Sequence, residues 1–188
     1  GGFRAAPALT YADTSHVGVF PENLEFEAIQ TFAADDPGPE VRAVAPDPRS
    51  ITLRVHHTFV KLPGPGFTPR RHDPRTGTSV QVLVNDYAAP LDAPVVYRLA
   101  RRFRLEKVDP TATRSRVKKP IVFYVDRAAP EPIRSALVEG ANWWGQAFDA
   151  AGFIDAFRVE VLPEGADPMD ARYNVINWIH RQTRGWST

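Results

Sequence analysis

The chain has 188 residues and no cysteine, with 43% hydrophobic and 24% charged side chains and a net charge of +1 from 23 basic and 22 acidic residues. Such a chain can bury the core of one large domain or two small ones. The missing thiols exclude disulfides, a cysteine nucleophile and any Cys-ligated metal, and the balanced charge, with no basic block long enough to track a phosphate backbone, argues against nucleic acid as a partner.

No run approaches the roughly 20 apolar residues that span a bilayer, so no membrane span is predicted. The chain opens on Gly1-Gly2-Phe3 and closes on Trp186-Ser187-Thr188 directly after a strand-like segment. Both ends are expected to be cuts in a longer protein.

The first hundred residues read as short strands punctuated by Pro and Gly, the pattern of a β-rich module. Residues 17–20 and 24–32 are predicted strands joined by the turn Pro21-Glu22-Asn23, and they are expected to pair as a hairpin. Segment 33–49, with Asp36-Pro37-Gly38-Pro39 and Pro46-Asp47-Pro48, is predicted loop. Residues 50–61 alternate most clearly, with Ile51, Leu53, Val55, His57 and Phe59 on one face and Thr52, Arg54, His56 and Thr58 on the other. That pattern makes His57 a core-face histidine and His56 a solvent-face one.

Segment 62–78 is a long turn-rich loop. Val80, Val82 and Val84 then alternate as one strand, and Tyr97, Leu99, Phe103 and Leu105 as another. Residues 109–118 have the makings of a linker. Beyond them, 121–125 is an apolar run suited to a strand buried on both faces. From Ile133 to Ala151 apolar residues recur at helical spacing, with Gly152 as the residue that ends the helix. Phe157, Val159 and Val161 resume strand alternation, and 173–179 forms a last strand. The order strand, helix, strand, loop, strand implies a right-handed crossover with the helix on one sheet face.

No His-Glu-x-x-His, Gly-x-Ser-x-Gly, phosphate-binding glycine loop or Cys pair occurs. Adjacent strand residues diverge, so His56 and His57 cannot chelate one ion together. Arg70, Arg71, His72, Asp73 and Arg75 gather in the 62–78 loop and form the candidate contact for a partner or substrate carboxylate. The plainer reading of those five is a turn shaped by Asp73 and Pro74, with the arginines paired to nearby acids. Trp143 and Trp144, about 100° apart on a helix, are expected to pack as core. Arg98, Arg102 and Arg104 share a strand face that could bind an anion but is read as a solvated face or an interdomain seam with acidic partners, and His180 is too isolated among Arg181 and Arg184 to assign.

Lys119-Pro120-Ile121-Val122-Phe123-Tyr124-Val125-Asp126, Pro130-Glu131-Pro132-Ile133-Arg134-Ser135-Ala136-Leu137 and Glu139-Gly140-Ala141-Asn142-Trp143-Trp144-Gly145-Gln146-Ala147-Phe148 stand together in the second half. Asp167-Pro168-Met169-Asp170-Ala171-Arg172-Tyr173-Asn174-Val175-Ile176 and Thr183-Arg184-Gly185-Trp186-Ser187 follow them. These strings resemble the opening of the catalytic domain in a family of large bacterial zinc-dependent metalloproteases related to the metzincins. Val55-His56-His57-Thr58-Phe59-Val60-Lys61-Leu62-Pro63, Pro69-Arg70-Arg71-His72-Asp73-Pro74-Arg75-Thr76-Gly77 and Arg104-Leu105-Glu106-Lys107 are similar to the domain of unknown function that precedes catalysis there.

The resemblance implies an α+β chain: a β-rich module at 1–108, a linker at 109–118, and the incomplete start of a metzincin-like catalytic domain at 119–188. It implies a protease whose zinc ligands and catalytic glutamate lie beyond Thr188, so no catalytic or metal residue is carried over and no zinc is expected in this chain. The implied partners are the rest of the catalytic domain and a peptide or protein substrate, and the implied location is exported: periplasmic, secreted or outer-membrane associated. A stand-alone β-rich protein-binding or adaptor module is the alternative. A free sheet edge after Ile179, and with it self-association, is a further expectation.

Overall fold

Alternation at 24–32 and 50–61 becomes one long antiparallel pair. The computed structural model describes residues 2–62, 64–77 and 81–179. There β1 (Arg4–Ala5), β2 (Tyr11–Val19), β3 (Asn23–Ala33) and β4 (Ser50–Val60) make an antiparallel sheet. β4 runs the whole length of β3, from Val60 opposite Asn23 to Ser50 opposite Ala33. β2 and β1 follow one another along the other edge of β3. The expected hairpin is present, closed by Phe20 N–H donating to Asn23 O at 2.9 Å.

Within the predicted loop 33–49 lies a short helix, α1 (Pro39–Val44). Its signals are local: Gly38 precedes it, Pro39 supplies a preset φ at the first position, and Glu40 sits where the helix dipole favours an acid. Proline density hid it.

The described residues divide into two compact units. The first takes residues up to 62, 124–130 and from 161 onward; the second takes 63–123 and 131–160.

In the second unit β5 (Gln81–Asn85) pairs antiparallel with β6 (Val96–Ala100). The 70–72 segment lies on the far side of β6, with Ala100 N–H donating to Arg70 O and His72 N–H to Arg98 O, both at 2.9 Å. Val80, predicted to open β5, lies outside the described residues. The alternation expected to run through Phe103 and Leu105 stops at Ala100, just before Arg101 takes the place of an apolar residue in the period. Residues 109–118 hold β7 (Ser115–Arg116), and after it comes β8 (Ile121–Val125).

The helix predicted over 133–151 is two helices, α2 (Ile133–Asn142) and α3 (Gly145–Ala150). At the junction the bonds tighten to i→i+3, with Trp143 N–H to Gly140 O and Trp144 N–H to Ala141 O at 3.3 Å. Asn142 stands at the break. Its side-chain amide donates to Val138 O and Val159 O and accepts from Val159 N–H, all at 2.8 Å, so the end of α2 is clamped to a strand. That strand is β10 (Phe157–Val161), which follows the short β9 (Phe153–Ile154), itself parallel to β7. Trp143 and Trp144, expected as core, are each 66% exposed. Phe103, Phe123, Phe157 and Phe148 pack instead, ring to ring at 5.4–6.0 Å.

Gly152 ends α3 as predicted. Its φ is +85°, and a Cβ there would stand 2.4 Å from Thr113 O.

The remainder of the first unit closes around Val125, which is fully buried. Val125 O accepts from Leu162 N–H at 2.9 Å, and Asp126 N–H donates at 3.0 Å to Ile176 O of β11 (Asn174–Ile176). Tyr124 and Tyr173 meet edge to face at 5.2 Å. Asn23, read from sequence as a turn residue, joins this part to the N-terminal sheet within the unit: its amide donates to Met169 O and its oxygen accepts from Ala171 N–H, both at 2.9 Å. The fold is α+β.

Candidate functional site

Strand alternation sends Glu25, Glu27 and Thr31 of β3 to the same face as Thr58, His56, Arg54 and Thr52 of β4. That face, read from sequence as solvated, is the one that buries its polar groups. Asn23, Glu25 and Thr31 are no more than 4% exposed, whereas on the apolar face Leu53 is 50% and Phe59 63% exposed. Buried polar atoms of this kind persist only when paired, and here they are.

Glu25 accepts from Thr58 Oγ1 at 2.5 Å, lies 2.6 Å from His56 Nε2, and takes a further bond from the Asn23 amide. Burial alone would push its carboxyl up. The hydrogen bonds from Thr58, His56 and Asn23 outweigh burial and hold the pKa below the ordinary 4.5. His57 points the other way, as its strand position requires, stacked on Phe26 at 5.0 Å and bonded to the Gln30 amide at 3.1 Å.

A second cluster adjoins the first. Asp13 of β2 stands opposite Glu27, and three extra residues, Thr14, Ser15 and His16, bulge out of β2 before pairing resumes at Val17. The bulge turns His16 back so that Nδ1 is 2.9 Å from Asp13 Oδ2. Arg54 Nη1 donates to both Asp13 Oδ2 and Glu27 Oε2 at 2.7 Å. The Ser15 hydroxyl, at 2.5 Å, and the Arg54 guanidinium hold the Asp13 carboxyl far below the usual range. The bulge carries no signal in the sequence beyond polar residues inside a strand.

The chemistry open to this constellation is limited. Ser15 Oγ and Asp13 Oδ2 both contact the same His16 nitrogen, Nδ1, at 2.9 Å. A relay needs serine on one ring nitrogen and the carboxylate on the other, so the three do not form a triad. Asp13, His16 and Glu27 are the one group among the described residues with metal-ligand chemistry, their donor atoms lying within 4.8 Å of one another. Arg54 already stands between the two carboxylates and 3.5 Å from His16 Nδ1. A cation would have to displace a cation, so the donor set does not fit zinc while Arg54 is in place.

The sequence-predicted residues of the 62–78 loop lie in the second unit. Asp73 caps the helical turn Pro74–Thr76 by accepting from Arg75 N–H at 3.0 Å, and it also takes the Arg75 guanidinium, with Nη2 at 2.6 Å. That pair lowers the Asp73 pKa. Arg71 lays its guanidinium 3.5 Å from the centre of the Tyr97 ring. Arg70 is exposed, and His72 is half-buried, its backbone held by β6. The structure brings Asp73 and Arg75 together and sends Arg71 to Tyr97. His180, Arg181 and Arg184 lie outside the described residues.

Both clusters and the loop fall inside a single family match, a domain of unknown function, DUF5117, over residues 9–108. The chain belongs to the DUF5117 family. No curated protein and no solved structure matches it. The DUF5117 segment thus contains the whole polar network from Asp13 to Thr58. Among the described residues no helix is long and apolar enough to cross a membrane.

Proposed function

We propose that this chain is the non-catalytic front portion of a zinc-dependent metalloendopeptidase, in which the DUF5117 segment precedes the first layer of a metzincin-like catalytic domain. The reading is carried by one observation. The strings that resemble the protease opening hold β8, α2, most of α3 and β11, so the likeness falls on elements of the second half. The polar network of the DUF5117 segment is consistent with a supporting role, because each of its carboxylates is already neutralised or hydrogen-bonded by its own sheet. Zinc would be supplied with the ligand helix that the resemblance places beyond Thr188, and the protein would be exported.

The half-exposed apolar face of β3 and β4, with Leu24, Leu53 and Phe59, favours a second reading: a β-rich protein-binding or adaptor module. Extending the expressed chain by the codons that follow Thr188 separates the two. A peptidase holding one zinc per chain, beside a zinc-free and inactive 1–188, is the expected result. A stop codon there, or stoichiometric zinc on 1–188, overturns the protease reading.

A further inference from the structure

The second unit holds a groove of about 500 Å³ lined by Phe67, Pro69, Val82, Leu99 and Phe103, with Arg101 and Arg102 among its walls. That volume lies in the range of ligand sites, roughly 300–1,000 Å³. Its apolar walls are held in place: Arg102 lies 4.6 Å over the Phe67 ring and its guanidinium also binds Thr68 O. The cation of Arg102 is therefore committed to the wall. Arg101 is exposed and makes no ion pair with any described residue.

The segment that carries the groove is basic. Residues 63–108 carry eight basic and four acidic side chains, a net +4 in a chain of +1. Two of those four acids are spent locally, Asp73 on Arg75 and Glu106 on Arg104 and Lys118. Val82, which lines the groove, belongs to β5, and β5 pairs only with β6 among the described residues.

We propose that this groove binds an extended acidic peptide, with an apolar side chain seated among Phe67, Val82, Leu99 and Phe103 and a neighbouring Asp or Glu on Arg101. The groove selects an apolar residue, and Arg101 selects the acid beside it. The site stands on its own residues and is independent of the protease reading.

Fluorescence anisotropy of the full chain with fluorescein-labelled Asp-Glu-Leu-Phe-Glu-Asp tests it, against Lys-Lys-Leu-Phe-Lys-Lys and Asp-Glu-Ser-Ser-Glu-Asp. The first peptide should bind at least about tenfold more tightly than either control. Arg101→Glu, which changes an exposed side chain, should remove about tenfold of that affinity while the urea midpoint stays put. Equal binding of the three peptides, no binding of the first, or an unchanged affinity in Arg101→Glu overturns the proposal. Displacement of the peptide by laurate, with laurate the tighter ligand, overturns it in favour of a lipid carboxylate.

Discussion

Replacing Glu25 with alanine removes the acceptor on which Asn23, His56 and Thr58 converge, and the structure says which of the three will suffer. Thr58 is exposed and His56 keeps 40% of its side chain in contact with water, so both can turn to solvent. Asn23 cannot. It keeps Met169 O for one amide hydrogen and loses the partner of the other inside a buried site. One orphaned buried donor costs about 1–3 kcal/mol, and the lost γ-methylene of Glu25 adds roughly 1 kcal/mol. Urea denaturation at pH 7 should therefore show Glu25→Ala less stable by about 2–4 kcal/mol. Glu25→Gln keeps the volume and removes the titration. Because the folded-state pKa is depressed, the carboxylate's contribution is complete above the ordinary 4.5 and is lost as pH falls below it toward the folded value. The deficit of Glu25→Gln should thus be present at pH 7 and shrink below pH 4.5. A cost under about 1 kcal/mol for Glu25→Ala, or a Glu25→Gln deficit that is the same at pH 3.5 and pH 7, would refute the reasoning.

Two other variants separate what is packed from what only looks packed. Trp143→Ala combined with Trp144→Ala should cost under about 1 kcal/mol by urea denaturation, as surface changes do, and a loss of 3–5 kcal/mol would show the pair to be core. Gly152→Ala forces a left-handed backbone on a residue with a side chain and drives its Cβ against Thr113 O, so a loss of at least about 1 kcal/mol is expected; an unchanged thermal midpoint would contradict it.

Period and the first hairpin were legible in the sequence; the other pairings and the direction of burial were not. Leu24, Phe26, Leu53, Val55 and Phe59 announce a sheet face, and that face exists, yet its alternation cannot say what covers it. Burial went to the Asn23, Glu25 and Thr31 face because other parts of the unit reach it. Thr31 Oγ1 donates to Leu9 O at 3.0 Å, and Asn23 is held by Met169 and Ala171. Those partners are tertiary facts with no local signature. The β2 bulge was equally silent, since three polar residues inside a strand read the same whether they pair or loop out. Helical spacing in 133–151 was right, but spacing is blind to a two-residue tightening, and the Trp pair sits at that step.

Asn23 closes its bonds with residues 146 and 148 positions later in the chain. A ribosome adding about 5–20 residues per second delivers those partners roughly seven to thirty seconds after β3 has emerged. For that interval the carboxylates of the first sheet already have their partners, and only its Asn23 corner is left unfastened.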